Sequence, residues 1–297
     1  MHGFFYVVNH GVDIKLIERL DSASRQFFAL DEQTKMKWRM ELGGKAWRGY
    51  FPLGGEVTSG KPDMKEGLYL GQELDVTHPL PMHGPNLFPD TPADLKSLVL
   101  EYIESVTKLG HSIMEAIALS LGLDQSYFYN LYTKNPLVLF RLFNYKSHTK
   151  QGTDTTLWGV GEHTDYGLLT MLYQDDIGGL QVKVPKVGWV PAPPVHNSFI
   201  CNIGDMLDRV SGGLYKSTPH RVALNTSGRD RLSFPLFFDP NFSSTVYPIP
   251  GITINDNDNR WDDMNLFDIK GTYGDYLLNK VGKVFPQLSK TALPNTE

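Results

Sequence analysis

The sequence predicts a mainly β protein in which a helical N-terminal region supports a β-rich core. From Leu137 onward, strand-like segments recur at short intervals between Gly- and Pro-containing turns. This pattern is typical of a sandwich, a barrel or a jelly roll. Before that point, apolar residues recur mainly at helical spacing. We therefore divide the chain into a helical region, residues 1–134, packed on a core, residues 135–297, within one compact unit.

The first elements follow from apolar spacing and capping residues. FFYVV is short, β-branched and aromatic, which favours a strand. The chain starts abruptly before this strand, so earlier residues could be missing. The start has no basic segment, so we do not expect a signal peptide. Asp13 and Asp31 are predicted to cap two helices, the second of them EQTKMKW. Residues 43–90 are rich in Gly and Pro and predict loop with short strands, where a lid or substrate loop could lie.

A long helix is predicted to follow the loop region. Thr91 is placed as its cap and Pro92 at its first helical position, and apolar residues recur from Leu95 to Leu121 until Gly122 ends the helix. Such a helix would be about 45 Å long, with a bend near Gly110, and would lie across the back of a sheet. We interpret its apolar stripe as core packing. A last helix is predicted over residues 272–284.

Composition and charge exclude several classes of protein. The net charge of -5 is mild and no basic stripe is present, so we expect no nucleic-acid partner. No apolar stretch approaches the roughly 18 residues of a membrane span, so we expect no membrane partner. The single cysteine, Cys201, is predicted to be buried and inert, which fits a cytoplasmic protein. No feature predicts a dimer, so a monomer is our default.

The segment GEHTDYGLLTMLYQ, residues 161–174, places His163 and Asp165 ahead of an apolar run that we interpret as a strand. Residues i and i+2 of a strand point to the same side, so these side chains should project together. With one more histidine they would form a 2-His-1-carboxylate triad, which is typical of non-haem Fe(II) oxygenases. A lone His-x-Asp also arises by chance, as a capping acid beside a surface histidine.

A second pairing strengthens the metal hypothesis. Among the nine histidines we choose His220 as third ligand, because it begins a predicted strand after a turn. Eleven residues later, Arg231 and Ser233 again stand at i and i+2 on a predicted strand. A buried guanidinium needs an anion, and a carboxylate matches it with two parallel hydrogen bonds. We therefore predict a site here for the distal carboxylate of a co-substrate.

In this order and spacing, the motifs resemble the iron- and 2-oxoglutarate-dependent dioxygenase superfamily, in the branch that contains isopenicillin N synthase. The resemblance covers nearly the whole chain, through GFFYVVNHGV, RGYFPLGGE, HTDYGLLTML, GLQV, GWVPAPP, NIGDML, YKSTPHRV and RLSFPLFFDPN. It implies a double-stranded β-helix core, a relative of the jelly roll, with the metal inside and the long helix behind. NIGDML is assigned to structure.

The resemblance also implies roles for individual residues. The iron ligands would be His163, Asp165 and His220. Arg231 and Ser233 would hold the C5 carboxylate of 2-oxoglutarate, and Tyr145 would hydrogen-bond the same end. The implied reaction consumes 2-oxoglutarate and O2, releases succinate and CO2, and hydroxylates, desaturates or cyclises a small-molecule substrate.

Departures from the family pattern concern the substrate. Lys146 stands where a Pro is usual, Phe143 where many plant members have Asn, and the loop of residues 147–159 is longer than in many members. Arg141 shares one strand face with Phe143 and Tyr145, so we interpret Arg141 and Phe143 as substrate-binding residues. Arg141 would meet a substrate carboxylate; the alternative is an internal ion pair with a nearby acid.

Two other functions stay open at this point. Some relatives oxidise without 2-oxoglutarate, and their Arg-x-Ser pair holds the carboxylate of the substrate itself. A non-catalytic binding module on the same scaffold is the third hypothesis. Three intact ligands argue against the binding module, because a pure binder has no need of an open metal face.

Overall fold

The computed structural model describes residues 3–148, 157–255, 260–286, 290 and 292. Two antiparallel sheets and a small hairpin form its β structure. The strands in chain order are β1 (Phe4–Val7), β2 (Gly49–Phe51), β3 (Val57–Thr58), β4 (Lys61–Pro62), β5 (Glu66–Gly71), β6 (Leu137–Tyr145), β7 (Val160–His163), β8 (Leu169–Gln174), β9 (Leu180–Val184), β10 (Gly188–Pro191), β11 (Phe199–Ile203), β12 (His220–Val222) and β13 (Arg231–Asp239). The α-helices are α1 (Ile14–Phe28), α2 (Glu32–Lys35), α3 (Leu95–Ser120), α4 (Asp205–Val210) and α5 (Tyr273–Val284).

The topology confirms the predicted jelly-roll fold. The large sheet has seven strands in the order β1-β11-β8-β13-β6-β5-β2, and the small sheet has four in the order β10-β9-β12-β7. Apart from the β9–β10 hairpin, most neighbouring strands are not consecutive in the chain, which crosses repeatedly between the two layers. Side chains from both sheets line one cavity, which places the candidate site between the layers.

The region before residue 135 contributes more strand than its sequence suggests. β1, β2 and β5 all join the large sheet. β5 lies in the segment that was predicted to be mostly loop. Each of its residues is buried, as in a core strand. A Cβ on Gly67 would lie 2.6 Å from the Phe51 ring and 2.7 Å from the Phe143 ring. Glycine therefore marks a close approach of aromatic side chains here rather than a turn.

The predicted early helices are confirmed. The Asp13 carboxylate accepts a hydrogen bond from the Lys15 backbone N–H at the start of α1. The Asp31 carboxylate accepts a hydrogen bond from the Thr34 backbone N–H at the start of α2. The second helix is shorter than predicted, because its last three residues, Met36–Trp38, form a 3-10 turn.

The long helix α3 differs from its prediction at the N-terminus. It begins at Leu95, and Asp94 occupies the cap position without a side-chain hydrogen bond. The placement of Thr91 as cap and Pro92 as first helical residue is therefore wrong. The Pro92 carbonyl instead accepts the Leu95 N–H, so these residues form a turn that precedes the helix.

The other features of α3 agree with the sequence. The helix ends at Ser120, and Gly122 follows with a φ of 72° that suits glycine. Its apolar face packs against β6, β8 and β13, across the back of the large sheet. Gly110 lies at this contact, where a Cβ would be 2.8 Å from a ring carbon of Phe238. The glycine lets the helix approach the sheet closely.

Two smaller predictions can also be compared with the structure. Cys201 is a free, fully buried thiol whose pKa is raised by burial, as expected of an inert core residue. No helix within the described ranges combines the length and apolarity that crossing a membrane requires. Most of the loop that was predicted to be long, residues 147–159, lies outside the described residues.

Because Gly110 has no space for a side chain, we expect Gly110→Val to lower the free energy of unfolding by about 1–3 kcal/mol through overpacking against Phe238. Urea denaturation measures the change. Ala116→Val, at an exposed position of the same helix, is the matched control and should cost about 0.5 kcal/mol through helix propensity. Equal losses in the two variants would contradict the close contact.

Candidate metal centre and its cavity

The two candidate metal-binding histidines lie on paired strands of the small sheet. His163 ends β7, His220 begins β12, and the two are Cα partners in the antiparallel ladder. Their ring centroids are 4.2 Å apart. The spacing between the imidazoles is therefore set by hydrogen-bonded backbone, which gives the pair a rigid base.

Asp165 lies in a loop, which corrects the prediction that it shares a strand with His163. β7 ends at His163, and β8 does not begin until Leu169. The backbone carbonyl of Asp165 accepts the N–H of Asp205 at 2.8 Å, which fixes the loop on the start of α4. Tertiary hydrogen bonds, rather than strand alternation, direct this carboxylate towards the histidines.

The three side chains nevertheless converge. Oδ1 of Asp165 lies 3.8 Å from Nε2 of His163 and 3.7 Å from Nε2 of His220. One potential ligand atom from each residue lies within 4.8 Å of the other two. A single ion about 2 Å from each atom fits this spacing. Two imidazoles and one carboxylate form the donor set of a non-haem iron site with open coordination positions.

Hydrogen bonds orient both imidazoles for metal binding. Nδ1 of His163 lies 2.8 Å from the Gly161 carbonyl oxygen, and Nδ1 of His220 lies 3.2 Å from that of Thr218. A carbonyl oxygen can only accept, so each Nδ1 carries the proton and donates it. Each Nε2 then keeps a lone pair for the metal.

The carboxylate of Asp165 is oriented in a corresponding way. Its Oδ2 accepts hydrogen bonds from Thr170 at 2.6 Å and from Asn202 at 2.7 Å. Oδ1 is left to face the histidines. Sequence reasoning missed both donors, and the assignment of NIGDML to structure alone was incomplete. The available signal was a polar residue within an apolar, buried strand, since such a group needs a partner.

The protonation states also suit metal binding. Burial, and then His163, lowers the pKa of His220 to about 4, so its imidazole is neutral near pH 7. Burial alone would raise the pKa of Asp165, but His220, His163, Asn202 and Thr170 together lower it below its ordinary value. The site therefore offers a neutral imidazole and an ionised carboxylate, which are the forms that bind metal.

The candidate ligands open into a cavity of about 150 Å³ between the two sheets. Alternate residues of two neighbouring strands of the large sheet line it. These are Leu139, Arg141, Phe143 and Tyr145 on β6, and Arg231, Ser233, Pro235, Phe237 and Asp239 on β13. Leu277, Val281 and Phe285, from α5 and the residue after it, cover another side. All the predicted site residues are thus brought to one cavity.

Arg231 has the surroundings of an anion-binding residue. It is 2% exposed, and Nη2 donates to Oε1 of Gln174 at 2.8 Å. Its guanidinium carbon lies 4.6 Å from the centroid of the Tyr145 ring. Nε and Nη1 have no hydrogen-bond acceptor among the described residues. Two unsatisfied buried donors beside Ser233 and Tyr145 fit the distal carboxylate of 2-oxoglutarate.

Arg141 is a second buried guanidinium in the cavity wall. It is 5% exposed, and its guanidinium carbon lies 3.5 Å from the centroid of the Tyr69 ring. Nη1 has only carbonyl acceptors, at 3.4 Å from Leu70 and 3.2 Å from Phe140. Over the described ranges, no carboxylate lies within 4.0 Å of it, so Arg141 forms no direct internal ion pair there. From a longer distance its charge acts to lower the pKa of Glu56 and of Asp239.

The last cavity residue of β13 is a buried acid. Asp239 is 3% exposed, and its Oδ2 accepts a hydrogen bond from the Tyr273 hydroxyl at 2.5 Å. Burial raises the pKa of this carboxyl group to about 7; Asp165 adds to the shift, whereas Tyr273 and Arg141 oppose it. This residue had no role in the sequence-based prediction, because a single Asp at a strand end carries no spacing signal.

The sequence matches two family models in series. Residues 1–91 match "non-haem dioxygenase in morphine synthesis N-terminal", and residues 134–240 match "2OG-Fe(II) oxygenase superfamily". The second match contains all the candidate metal ligands as well as Arg231 and Ser233.

Curated relatives and solved structures give the same result. The chain is 56% identical to a probable iron/ascorbate oxidoreductase of Dictyostelium discoideum, over 98% of this chain and 88% of the relative. It is 42% identical to a 1-aminocyclopropane-1-carboxylate oxidase of Dictyostelium mucoroides, over 96% and 87%. The fold is similar to that of a full-length Neurospora crassa protein in complex with alpha-KG and 5-formyluracil, with a TM-score of 0.79, 29% identity, and coverage of 96% and 87%.

Because the pKa of Asp239 is raised in the folded protein, we expect its ionisation to oppose folding. An unfolded Asp releases its proton near pH 4, whereas the folded one holds it to about pH 7. The free energy of unfolding of the wild type should therefore decrease as the pH rises from about 4 to about 7. Asp239→Asn should be as stable as the wild type near pH 4, and more stable above pH 7 by up to about 4 kcal/mol.

Urea denaturation of the metal-free protein across this pH range measures the difference. Asp176→Asn, at a carboxylate that is 72% exposed, is the control. The hydrogen bond from Arg229 lowers the pKa of this carboxyl group, so its difference should not change between about pH 5 and pH 8. A pH-independent effect of Asp239→Asn would contradict the raised pKa.

Proposed function

The chain belongs to the 2OG-Fe(II) oxygenase superfamily, and on this premise we propose how its own residues serve the reaction. It is a 2-oxoglutarate-dependent non-haem iron dioxygenase that oxidises a small molecule with release of succinate and CO2. The observation that carries our assignment is the pair of unsatisfied Arg231 donors in the cavity of the metal triad. An anion-binding group at that position suits a dicarboxylate co-substrate.

His163, Asp165 and His220 would hold the iron through Nε2, Oδ1 and Nε2. The bound iron supplies the redox chemistry that couples decarboxylation of 2-oxoglutarate to oxidation of the substrate. Thr170 and Asn202 keep Asp165 directed at the metal through Oδ2. Each ligand side chain is hydrogen-bonded through the polar atom that does not face the metal. The triad is therefore preorganised before any ion binds.

Arg231 would hold the C5 carboxylate of 2-oxoglutarate through guanidinium N–H groups that have no acceptor among the described residues. Ser233 lies on the same face of β13 and offers a hydroxyl, and Tyr145 lines the cavity beside them. Gln174 holds the remaining arm of the guanidinium, so the fork is fixed in one orientation. This orientation directs the other end of the co-substrate towards the triad.

Arg141 and Phe143 would bind the substrate, with Arg141 meeting a carboxylate. Support comes from the burial of Arg141 and from the lack of a carboxylate partner in the described part of the chain. The 1-aminocyclopropane-1-carboxylate oxidase relative is named for a small carboxylic acid. Phe143 contributes an apolar wall, and the residues of α5 exclude water from the opposite side.

We also infer a cytoplasmic enzyme that acts as a monomer, without a nucleic-acid or membrane partner. A lone, fully buried cysteine suits a reducing compartment. All the proposed site residues come from one chain, so the reaction needs no second subunit.

We expect Arg231→Gln to weaken 2-oxoglutarate binding about a hundredfold or more, because the C5 carboxylate would lose its bidentate partner. An anaerobic titration with Fe(II) and 2-oxoglutarate, followed by the weak visible charge-transfer band, measures the affinity. Iron binding should be unchanged. Arg229→Gln, at an exposed guanidinium two residues away, is the matched control.

Succinate release separates the proposed reaction from oxidation without 2-oxoglutarate. Turnover that needs added 2-oxoglutarate, with succinate formed in step with product, supports the proposal. Substrate oxidation without 2-oxoglutarate would refute it, as would failure of the wild type to bind Fe(II).

For the substrate site, we expect Arg141→Leu to raise the KM for carboxylate-bearing substrates tenfold or more, about the effect of losing one charged hydrogen bond. The affinity for 2-oxoglutarate should not change. Arg141→Lys, which keeps the charge, should recover part of the loss. Unchanged substrate affinity in a folded Arg141→Leu variant would remove the proposed role.

A further inference from the structure

Asp239 stands apart from the other acids of the cavity because it has no cationic partner. Glu56 is paired with the Lys65 ammonium at 2.8 Å, and Asp165 faces two imidazoles. Around Asp239, by contrast, no Lys, Arg or His nitrogen of the described residues lies within 4.0 Å. Its hydrogen bond from the neutral hydroxyl of Tyr273 does not balance the charge.

The second oxygen of this carboxylate lies against a backbone without a side chain. A Cβ on Gly167 would be 1.6 Å from Oδ1 of Asp239, so glycine alone leaves room for the carboxylate there. Gly167 follows Asp165 by two residues and also lines the cavity. Oδ1 is therefore positioned in the cavity wall, beside the loop that carries Asp165.

The cavity thus holds a buried guanidinium and a buried acid that form no direct ion pair with each other. Arg141 lies on β6 between the registered pairs Ser233–Phe143 and Leu236–Phe140, so it stands opposite Pro235. Asp239 is four residues further along β13, or about 14 Å between backbone positions. Leaving either charge uncompensated in a desolvated cavity is unfavourable. A ligand that carries both complementary charges would satisfy the two together.

We propose that Asp239 accepts a positively charged group of the substrate, an ammonium or guanidinium, while Arg141 receives the carboxylate. This inference rests on the proposed function and narrows its substrate class to amino acids and related zwitterions. Asp239 is then a specificity-determining residue, because a neutral analogue would leave its carboxylate buried without a cationic partner. Glu56 is the less suitable acceptor, since Lys65 already neutralises it.

Binding of matched compounds to the anaerobic Fe(II)/2-oxoglutarate complex tests the proposal by calorimetry. The pairs are L-lysine with L-norleucine, L-arginine with L-citrulline, and L-norleucine with hexanoate, and in each pair the first member carries one more cationic group. In at least one pair, we expect the wild type to prefer the cationic member by about 30-fold or more. Asp239→Asn, which keeps the shape, should reduce that preference to about threefold or less.

Two variants and the co-substrate signal make the outcomes distinct. Asp176→Asn, at an exposed acid, should keep the wild-type preference. If the preference is lost in Glu56→Gln but kept in Asp239→Asn, the inference is overturned. It is also overturned if the complex forms but no cationic member binds more tightly than its neutral partner. Failure to form the Fe(II)/2-oxoglutarate complex would instead refute the proposed function.

Discussion

The hydrogen-bonded carboxylate of Asp165 is the constraint on which the site depends. The residue lies in the loop that leads from β7 of the small sheet to β8 of the large sheet, and its Oδ2 is held by Thr170 on β8 and Asn202 on β11. These hydrogen bonds fix the carboxylate to the large sheet, while the two histidines that it faces lie on the small sheet. Because Oδ2 is occupied, Oδ1 has a single direction, towards two imidazoles whose spacing the β7–β12 ladder already fixes.

The C-terminal part of the chain reinforces this arrangement. Arg260 pairs with Asp205 at 2.9 Å and donates to the Thr164 hydroxyl at 2.8 Å, between the first two candidate ligands. Tyr276 of α5 also donates to Asp205, at 2.7 Å. The helix that covers the cavity is thus connected to the metal loop through one buried acid. The position of α5 and the geometry of the loop are therefore physically linked.

Sequence reasoning predicted the parts of this protein that repeat or pair along the chain. The helix α3, the strands β6 and β13 and the Arg231–Ser233 pair follow from periodicity and i, i+2 spacing. It could not place Asp165 in a loop or identify Asn202 as its partner, because those contacts join residues far apart in the chain. β5 was missed for a related reason: Gly67 looks like a turn signal until Phe51 and Phe143 are seen on either side.

The division of the site between the two sheets has an evolutionary consequence. The candidate metal ligands lie on the small sheet and on the loop between β7 and β8, whereas Arg141, Phe143 and Asp239 belong to strands of the large sheet. If these three wall residues recognise the substrate as we propose, mutations there can alter which molecule is bound without replacing a metal ligand. Selection could in this way diversify the compounds oxidised while the oxidising chemistry is inherited unchanged.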